Sequence, residues 1–219
     1  MSIGRRGLAA VVATRLSFIS TISDNIDATL RDLVSPAAAI AHRPDGSPML
    51  TGVSGLHISL SHAHGTTAFC VSEKPVGIDL VEVEDSPENR LVAAELFTPR
   101  EREWLAARPA ASWGQAFACL WAVKEAVAKR GRRGLGTHDL PRLDALLAAM
   151  PSDFAETAAS GSAVPLRHLT GAPIGIACWR AAGATLLIAI AMTPGAPHID
   201  EVLLLSQRAM SRGHEGAAT

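Results

Sequence analysis

The sequence is poor in several features that define large classes of protein. It has no tyrosine, its aromatic content is 4%, and its formal net charge is −1. So balanced a charge argues against a protein that coats nucleic acid. No apolar stretch reaches the roughly eighteen residues that a membrane span needs, and Arg15 ends the apolar run after Arg5 and Arg6 too early for an export signal. We therefore expect a soluble cytoplasmic protein, without nucleic-acid or membrane partners, that begins with an amphipathic helix.

Cysteines and the common nucleotide-binding motifs are also scarce. Cys70, Cys119 and Cys178 lie far apart and form no C-x-x-C pair, which excludes a zinc ribbon or a disulfide framework and favours a reducing compartment. The chain lacks the G-x-x-x-x-G-K-[ST] loop and the dinucleotide G-x-G-x-x-G motif, so neither an ordinary ATPase nor a dehydrogenase is supported. Its 219 residues, 48% of them hydrophobic, suffice for one large globular domain or two small ones.

Hydrophobic periodicity predicts both helices and strands. Residues 1–41 are rich in alanine, leucine and serine and are predicted to be helical. Capping boxes formed by Thr98 with Glu101 and by Ser112 with Gln115 predict two further helices, over 99–108 and from residue 113. Alternating or continuous apolar residues predict strands at 56–61, 66–71, 76–83, 174–179 and 184–192. Because the last two strands echo the first hairpin, we expect two similar halves, residues 1–110 and 111–219.

Two carboxylates occupy positions where a charge is costly. Asp79 lies within an apolar strand, and Glu125 follows Phe117 and Trp121 on one stripe of a helix. Structural explanations exist for both, since Asp79 could accept backbone hydrogen bonds at a strand end and Glu125 could pair with Lys129 one turn later. Alternatively, the two acids suit Mg²⁺, which takes one or two carboxylates together with water and phosphate oxygens.

Basic and imidazole groups surround these acids in the sequence. The glycine-rich stretch from Lys129 to Gly136 carries several arginines and could hold phosphates or an acidic protein surface, although a solvated loop would look the same. His57, His62 and His64 could instead form part of a zinc site, but no third ligand beside the last two is marked. Carboxylates for a hard cation among fixed positive charges favour a phosphate-bearing substrate.

A two-part signature and three further motifs resemble those of the 4′-phosphopantetheinyl transferases. V-G-I-D-L, which contains Asp79, and W-A-V-K-E-A-V-A-K, which contains Glu125, resemble the family's two-part signature. S-L-S-H at residues 59–62, F-T-P-R-E at residues 97–101 and R-x-x-G-x-P at residues 43–48 are similar to motifs of the larger, surfactin-synthetase-type branch. The resemblance covers residues 42–136.

The resemblance implies a fold and a reaction. The fold would be α+β, with two pseudo-symmetric halves, each an antiparallel sheet with packed helices, and an active site in the cleft between them. The enzyme would be a monomer that moves the 4′-phosphopantetheine arm of coenzyme A onto a serine of an acyl, peptidyl or polyketide carrier protein, releasing adenosine 3′,5′-bisphosphate. The carrier is expected to be acidic around this serine, and arginines are candidates to meet it: Arg100, Arg102, Arg130, Arg132 and Arg133.

The resemblance also implies roles for individual residues. Asp79 and Glu125 would hold Mg²⁺, and Glu125 would also be the base for the carrier serine. Lys129 would support the leaving phosphate and Lys124 the pyrophosphate. Substrate contacts to coenzyme A would come from three further residues, Arg43, Ser61 and His62.

Two positions depart from the family's pattern. Val81 stands where many members have a third acidic metal ligand, so either water or Glu82 would have to complete the coordination. Ser47 stands where a basic residue is common. These departures leave open a degenerate homologue that binds coenzyme A or a carrier protein without catalysis. A Mg²⁺-dependent hydrolase of nucleotide pyrophosphates shares the charge pattern but lacks a motif of its own.

Overall fold

The computed structural model describes residues 9–15, 22–132, 140–151, 163–181, 183–196, 199 and 201–205. Four α-helices occur in these ranges: α1 (Ile22–Leu33), α2 (Pro87–Leu96), α3 (Pro99–Ala106) and α4 (Trp113–Arg130). Eleven strands accompany them: β1 (Ala9–Arg15), β2 (Ala39–His42), β3 (Pro48–Thr51), β4 (His57–Ala63), β5 (Thr66–Ser72), β6 (Val76–Glu82), β7 (Ala163–Pro165), β8 (Arg167–His168), β9 (Ile174–Ala181), β10 (Ala184–Met192) and β11 (Glu201–Leu205).

The strands form two main sheets and one hairpin. The first sheet has the order β4-β5-β1-β11-β7, the second has the order β6-β10-β9-β8, and β2 pairs with β3 alone. All pairs are antiparallel except β1 with β11. Helices and predominantly antiparallel sheets together confirm the predicted α+β class.

Serine side chains join the two sheets where β4 runs beside β6. The Ser59 hydroxyl accepts a hydrogen bond from the Ile78 amide at 3.0 Å, and the Ser61 hydroxyl donates to the Asp79 carboxylate at 2.9 Å. Both serines are buried, so these bonds satisfy polar groups that would otherwise be costly there. The seam between the sheets therefore runs directly past Asp79.

Helix α4 packs across the second sheet and carries most of the core on that side. Its apolar residues contact β6 and β10, and the rings of Trp113, Phe117 and Trp121 stack in sequence along the helix. Phe97, just after α2, stacks on Phe117 with ring centroids 5.6 Å apart. The i,i+4 spacing of these aromatic residues explains why one stripe of α4 faces α2 and α3 while the rest faces the sheet.

The structure confirms most of the predicted elements from residue 56 onward and corrects two predictions. Residues 9–15 form strand β1 and not the first amphipathic helix, because this short run pairs with β5 on one side and β11 on the other. The capping box of Thr98 with Glu101 is present, whereas Ser112 makes no side-chain capping bond. The chain enters α4 through a 3₁₀ turn, and the Ser112 hydroxyl donates to the Pro109 carbonyl instead.

The predicted division near residue 110 is crossed by sheet pairing. Strand β1 pairs with β11, and β6 pairs with β10, so each main sheet contains strands from both sides of that position. This pairing does not by itself define two units, and the division into residues 1–110 and 111–219 remains a prediction. Among the described residues, no helix is long and apolar enough to cross a membrane.

Candidate active site

Asp79 lies on β6 with both carboxylate oxygens buried. Its Oδ1 accepts hydrogen bonds from Lys129 Nζ at 2.6 Å and from Ser61 Oγ at 2.9 Å. Its Oδ2 has no hydrogen-bond partner among the described residues. Burial raises the pKa of Asp79 above its usual value, although the adjacent Lys129 ammonium and the Ser61 hydroxyl both oppose that shift. A buried, unsatisfied carboxylate oxygen is rare and indicates a place for a ligand.

Glu125 projects from α4 towards the same place. The residue is only 5% exposed, and none of the described residues forms a hydrogen bond or ion pair with its carboxylate. Burial and the neighbouring Asp79 carboxylate raise the pKa of Glu125 to about 7, and Lys129 partly offsets them. The i,i+4 pair of Glu125 with Lys129 is therefore not formed as a salt bridge, because Lys129 pairs with Asp79.

A glycine brings the two acids together. A Cβ atom at Gly77 would lie 1.9 Å from the carbonyl oxygen of Ala126 and 2.4 Å from the amide nitrogen of Arg130. Both atoms belong to the backbone of α4, so any larger residue would push the helix away from β6. The glycine of the V-G-I-D-L motif thus sets the separation between Asp79 and Glu125, a role that its sequence context alone does not reveal.

A basic cavity opens at the C-terminal end of α4. It has a volume of about 390 Å³. Cationic groups from Arg43, Lys129, Arg130 and Arg132 line it, with Asp45 as its acidic member. The rest of the wall is largely apolar or neutral and comes from Met49, Leu56, Ile58, Leu60, Pro75 and Val76, among others. A cavity with an apolar wall and convergent cations suits a ligand that combines an aromatic or aliphatic part with phosphate groups.

Two cationic residues of this cavity are held in place by nearby polar groups. Arg43 Nη1 donates to the Pro48 carbonyl at 2.7 Å, and Arg132 Nη2 lies 3.2 Å from His57 Nδ1. Burial, then Arg132 and Arg43, lower the pKa of His57, which keeps its ring neutral and able to accept from the guanidinium. Sequence reasoning missed His57 as a partner of Arg132, because the 75 positions between them give no local signal.

The structure brings four of the seven candidate site residues into one group and places the other three differently. Asp79, Glu125, Lys129 and Ser61 form the group, since Lys129 Nζ also lies 3.3 Å from Ser61 Oγ. Arg43 lines the cavity. The remaining two are His62, which is exposed on β4, and Lys124, which lies on another face of α4.

Lys124 contacts none of these groups in the structure. Its ammonium forms an ion pair of 2.7 Å with Glu101, and the two side chains are 1% and 0% exposed. The structure therefore gives Lys124 a buried partner in α3, whereas the sequence prediction assigns it to the pyrophosphate.

The rival metal ligands do not assemble in the structure. No group of three histidine, cysteine, aspartate or glutamate residues able to hold a metal ion occurs in the described part of the chain, so the zinc alternative finds no support. Glu82 lies 3.1 Å from His64, and β6 pairs continuously with β10 without a bulge that would turn Glu82 towards Asp79. Val81 packs partly buried against the core around α4.

Comparison with known proteins agrees with the motifs. The family model described as the 4′-phosphopantetheinyl transferase superfamily matches residues 75–167. The chain is 31% identical over 91 residues to the 4′-phosphopantetheinyl transferase psf-1 of Bacillus pumilus, across 42% of this chain and 38% of that protein. It is 29% identical over 90 residues to a 4′-phosphopantetheinyl transferase of Bacillus subtilis, across 41% of this chain and 39% of that protein.

The matched region contains both acids of the site. Asp79 and Glu125 fall within residues 75–167, as do Gly77 and Lys129, whereas the alignments span about two fifths of the curated relatives' length. The motifs, the family match and the two relatives agree, and this region of the chain is similar to the 4′-phosphopantetheinyl transferase superfamily.

Proposed function

We propose that this protein transfers the 4′-phosphopantetheine group of coenzyme A to a serine hydroxyl of an acyl, peptidyl or polyketide carrier protein, with release of adenosine 3′,5′-bisphosphate. One observation carries the proposal: two buried carboxylates, Asp79 on β6 and Glu125 on α4, lie close to Lys129, and the last turn of α4 lines a basic cavity. Such a site combines a place for a hard cation with a place for phosphates. The names of the relatives supply the reaction class.

The cavity supports coenzyme A as the donor. Coenzyme A carries a pyrophosphate and a 3′-phosphate, and the cations of Arg43, Lys129 and Arg132 can contact such groups. The apolar wall can cover the adenine ring, which would otherwise remain in water. We assign His62 to the same substrate because of the motif resemblance, and its side chain on β4 is exposed.

The donor set fits Mg²⁺. Asp79 Oδ2 and the Glu125 carboxylate are oxygen atoms that lack partners among the described residues, and Mg²⁺ takes one or two carboxylates with water and phosphate oxygens filling its other positions. We propose that these two residues hold it, with water in place of a third acid. When bound, Mg²⁺ would neutralise charge that develops on the pyrophosphate oxygens.

The remaining chemistry belongs to the protein's own side chains. The carrier serine oxygen forms a bond to the β-phosphorus of coenzyme A, and the bond from that phosphorus to the bridging oxygen breaks. A base must remove the serine proton, and we assign this role to Glu125, directly or through a water molecule, because its buried carboxylate has no partner among the described residues. Lys129, held by Asp79 at 2.6 Å, places a positive charge where the departing phosphate gains negative charge.

The site also bears on assembly and location. Asp79 and Glu125 come from the same chain, so a second subunit is not needed to complete the acid pair, and we propose a monomer of the surfactin-synthetase-type branch. Cys70, Cys119 and Cys178 are buried thiols, which is consistent with our proposal that the protein works in the reducing cytoplasm.

Intact-protein mass spectrometry of apo carrier proteins tests the proposal. Fatty-acid, polyketide and nonribosomal-peptide carriers are incubated with the protein, coenzyme A and Mg²⁺, and a gain of one phosphopantetheine is expected on at least one of them. EDTA, Asp79→Ala and Glu125→Gln should each abolish the gain. Glu95→Gln on the exposed side of α2 is the matched control and should leave it intact.

Other outcomes assign other functions. Binding of coenzyme A without modification of any carrier would refute the transferase and favour a degenerate binding protein. Release of free phosphopantetheine in the absence of a carrier would instead identify a pyrophosphate hydrolase. The carrier modified fastest identifies the pathway.

A further inference from the structure

Lys124 and Glu101 form a buried ion pair next to the site, and each of the two charged groups has further hydrogen-bond partners. Glu101 Oε1 accepts from Lys124 Nζ at 2.7 Å and from the Leu143 amide at 2.8 Å, and Glu101 Oε2 accepts from the Thr98 amide at 2.8 Å. Lys124 Nζ also donates to the Pro141 carbonyl at 2.7 Å. Charged side chains that are 1% and 0% exposed are energetically costly unless they have such partners.

Lys124 has little capacity left for a substrate. An ammonium offers three donors, and two of them go to Glu101 and to the Pro141 carbonyl. The ring of Phe97 covers the same nitrogen, with its centroid 5.2 Å away. A phosphate could reach only the one remaining donor of this buried nitrogen, and displacing Glu101 would leave that carboxylate buried without its cation, which is strongly unfavourable.

The ion pair fixes three chain segments to one another. Glu101 lies in the first turn of α3, Lys124 lies in α4, and Pro141 and Leu143 lie further along the chain than α4. The Thr98 hydroxyl donates to Asp144 at 2.8 Å and strengthens the same junction. Helix α4 is therefore held from the side opposite to its contact with β6.

Lys124 and Glu125 are adjacent, and neighbouring side chains diverge by about 100° around a helix. When Lys124 is fixed towards α3, the rotation of α4 about its axis is fixed, and Glu125 is directed towards Asp79. A small rotation of α4 would displace the Glu125 carboxylate, and Gly77 leaves the helix no room to move closer to β6.

We propose that Glu101 and Lys124 act together as positioning residues for Glu125, and that Lys124 does not contact the phosphates of the donor. This inference rests on the proposed function. It departs from the role that the motif resemblance implies for Lys124.

Coenzyme A titrations separate the two roles of Lys124. The variants are Lys124→Met, Glu101→Gln and the double variant Lys124→Met/Glu101→Leu, with Lys129→Met as the comparison for a lysine at the cavity. Affinity for coenzyme A is measured by calorimetry with EDTA and with Mg²⁺. With EDTA, Lys124→Met should bind within about twofold of wild type, whereas Lys129→Met should lose about tenfold, the usual effect of one lost charged contact.

Positioning is read from the Mg²⁺ effect and from kinetics. Both single variants should lose most of the gain in coenzyme A affinity that Mg²⁺ confers on the wild type, and the same loss is expected of Glu125→Gln. Both should lower kcat by about tenfold or more, with little change in the KM for coenzyme A. The double variant should unfold at a higher temperature than either single variant, because it removes both buried charges together.

Three results would overturn the inference. The first is a tenfold loss of coenzyme A affinity in Lys124→Met with EDTA, not shared by Glu101→Gln, which would mean that Lys124 contacts phosphate. The second is an unchanged Mg²⁺ effect in both single variants. If these variants are too unstable to assay, a double variant that recovers stability but keeps wild-type kcat would also overturn it. A wild type that binds coenzyme A and modifies no carrier would refute the proposed function and leave the calorimetric test intact.

Discussion

Replacing Glu125 with glutamine should stabilise the metal-free protein at alkaline pH and have little effect in acid. The pKa of Glu125 is raised from 4.5 to about 7 by burial and by Asp79. Between these two pKa values, Glu125 keeps its proton in the folded protein, whereas it has already lost the proton in the unfolded chain. Unfolding therefore releases a proton, and the free energy of unfolding of the wild type falls as pH rises from 4.5 towards 7.

The size of the effect follows from the two pKa values. A difference from 4.5 to about 7, at about 1.4 kcal/mol per pH unit, gives roughly 3 kcal/mol once Glu125 is fully ionised. Glutamine has the shape of the protonated acid and no charge, so Glu125→Gln removes this cost and relieves the repulsion with Asp79. The variant should exceed the wild type by roughly 3 kcal/mol near pH 8 and by less than about 1 kcal/mol near pH 5.

Urea denaturation in EDTA, repeated across this pH range, measures the difference. Glu95→Gln on the exposed side of α2 is the matched control and should stay within about 0.5 kcal/mol of wild type at every pH. A difference for Glu125→Gln that does not change with pH would refute the reasoning, as would a wild type that is the more stable protein near pH 8.

The effect of Glu125→Gln on stability should change from stabilising to destabilising when Mg²⁺ and coenzyme A are present. Mg²⁺ with coenzyme A should raise the melting temperature of the wild type, because ligands that bind only the folded state stabilise it. We expect Glu125→Gln to lose most of that increase, measured by differential scanning fluorimetry at equal ligand concentration. An equal increase in both proteins would show that Glu125 takes no part in holding the metal.

Three further substitutions test the surroundings of the site. Gly77→Ala should lower the free energy of unfolding by about 3 kcal/mol in urea denaturation and reduce transfer, because its Cβ would overlap the backbone of α4. The control Gly175→Ala should cost less than about 1 kcal/mol, because the atoms nearest to its Cβ are side-chain atoms at 3.4 Å. Thr98→Ala should cost about 1–2 kcal/mol by removing a helix cap, and Ser112→Ala, which removes no cap, under about 0.5 kcal/mol. Arg132→Gln should weaken coenzyme A binding about tenfold at low salt and clearly less at high salt, and a loss independent of salt would contradict an electrostatic contact.

The sequence predicts elements well where local signals decide them. The alternation of residues 56–61 becomes β4, the apolar run of residues 184–192 becomes β10 at those bounds, and Trp113 begins α4 as expected. The capping box at Thr98 forms because its threonine and glutamate lie within one turn of each other. In these stretches the local pattern and the tertiary environment favour the same structure.

Strand β1 shows where local signals fail. Its sequence A-A-V-V-A-T-R lacks the alternation of a half-buried strand, although it pairs with β5 on one side and with β11 on the other. A short apolar run without alternation cannot be distinguished from a helix segment by periodicity alone. Its parallel partner lies some 190 positions away along the chain, and no local pattern reports so distant a pairing.

The site also contains residues that can be selected from the sequence and partners that cannot. Asp79 and Glu125 could be selected from sequence because each breaks an apolar pattern at an energetic cost. The partners of the two lysines could not be selected, since Lys129 pairs with Asp79 across 50 positions and Lys124 pairs with Glu101 on another helix. A salt bridge within one helix is the nearest guess for Lys129, but tertiary packing brings the Asp79 carboxylate to 2.6 Å from its ammonium.

The two lysines of α4, Lys124 and Lys129, differ in exposure and in the carboxylate that each one pairs with. Lys129 is about a quarter exposed and pairs with Asp79, so its charge remains available to a ligand, whereas Lys124 is 1% exposed and its charge is consumed inside the protein. In our proposal Lys129 therefore contacts the substrate, and Lys124 holds α4 in the orientation that the site requires. Gly77 completes the arrangement, because it allows the helix so close to β6 that a fixed rotation of α4 is enough to bring Glu125 to Asp79.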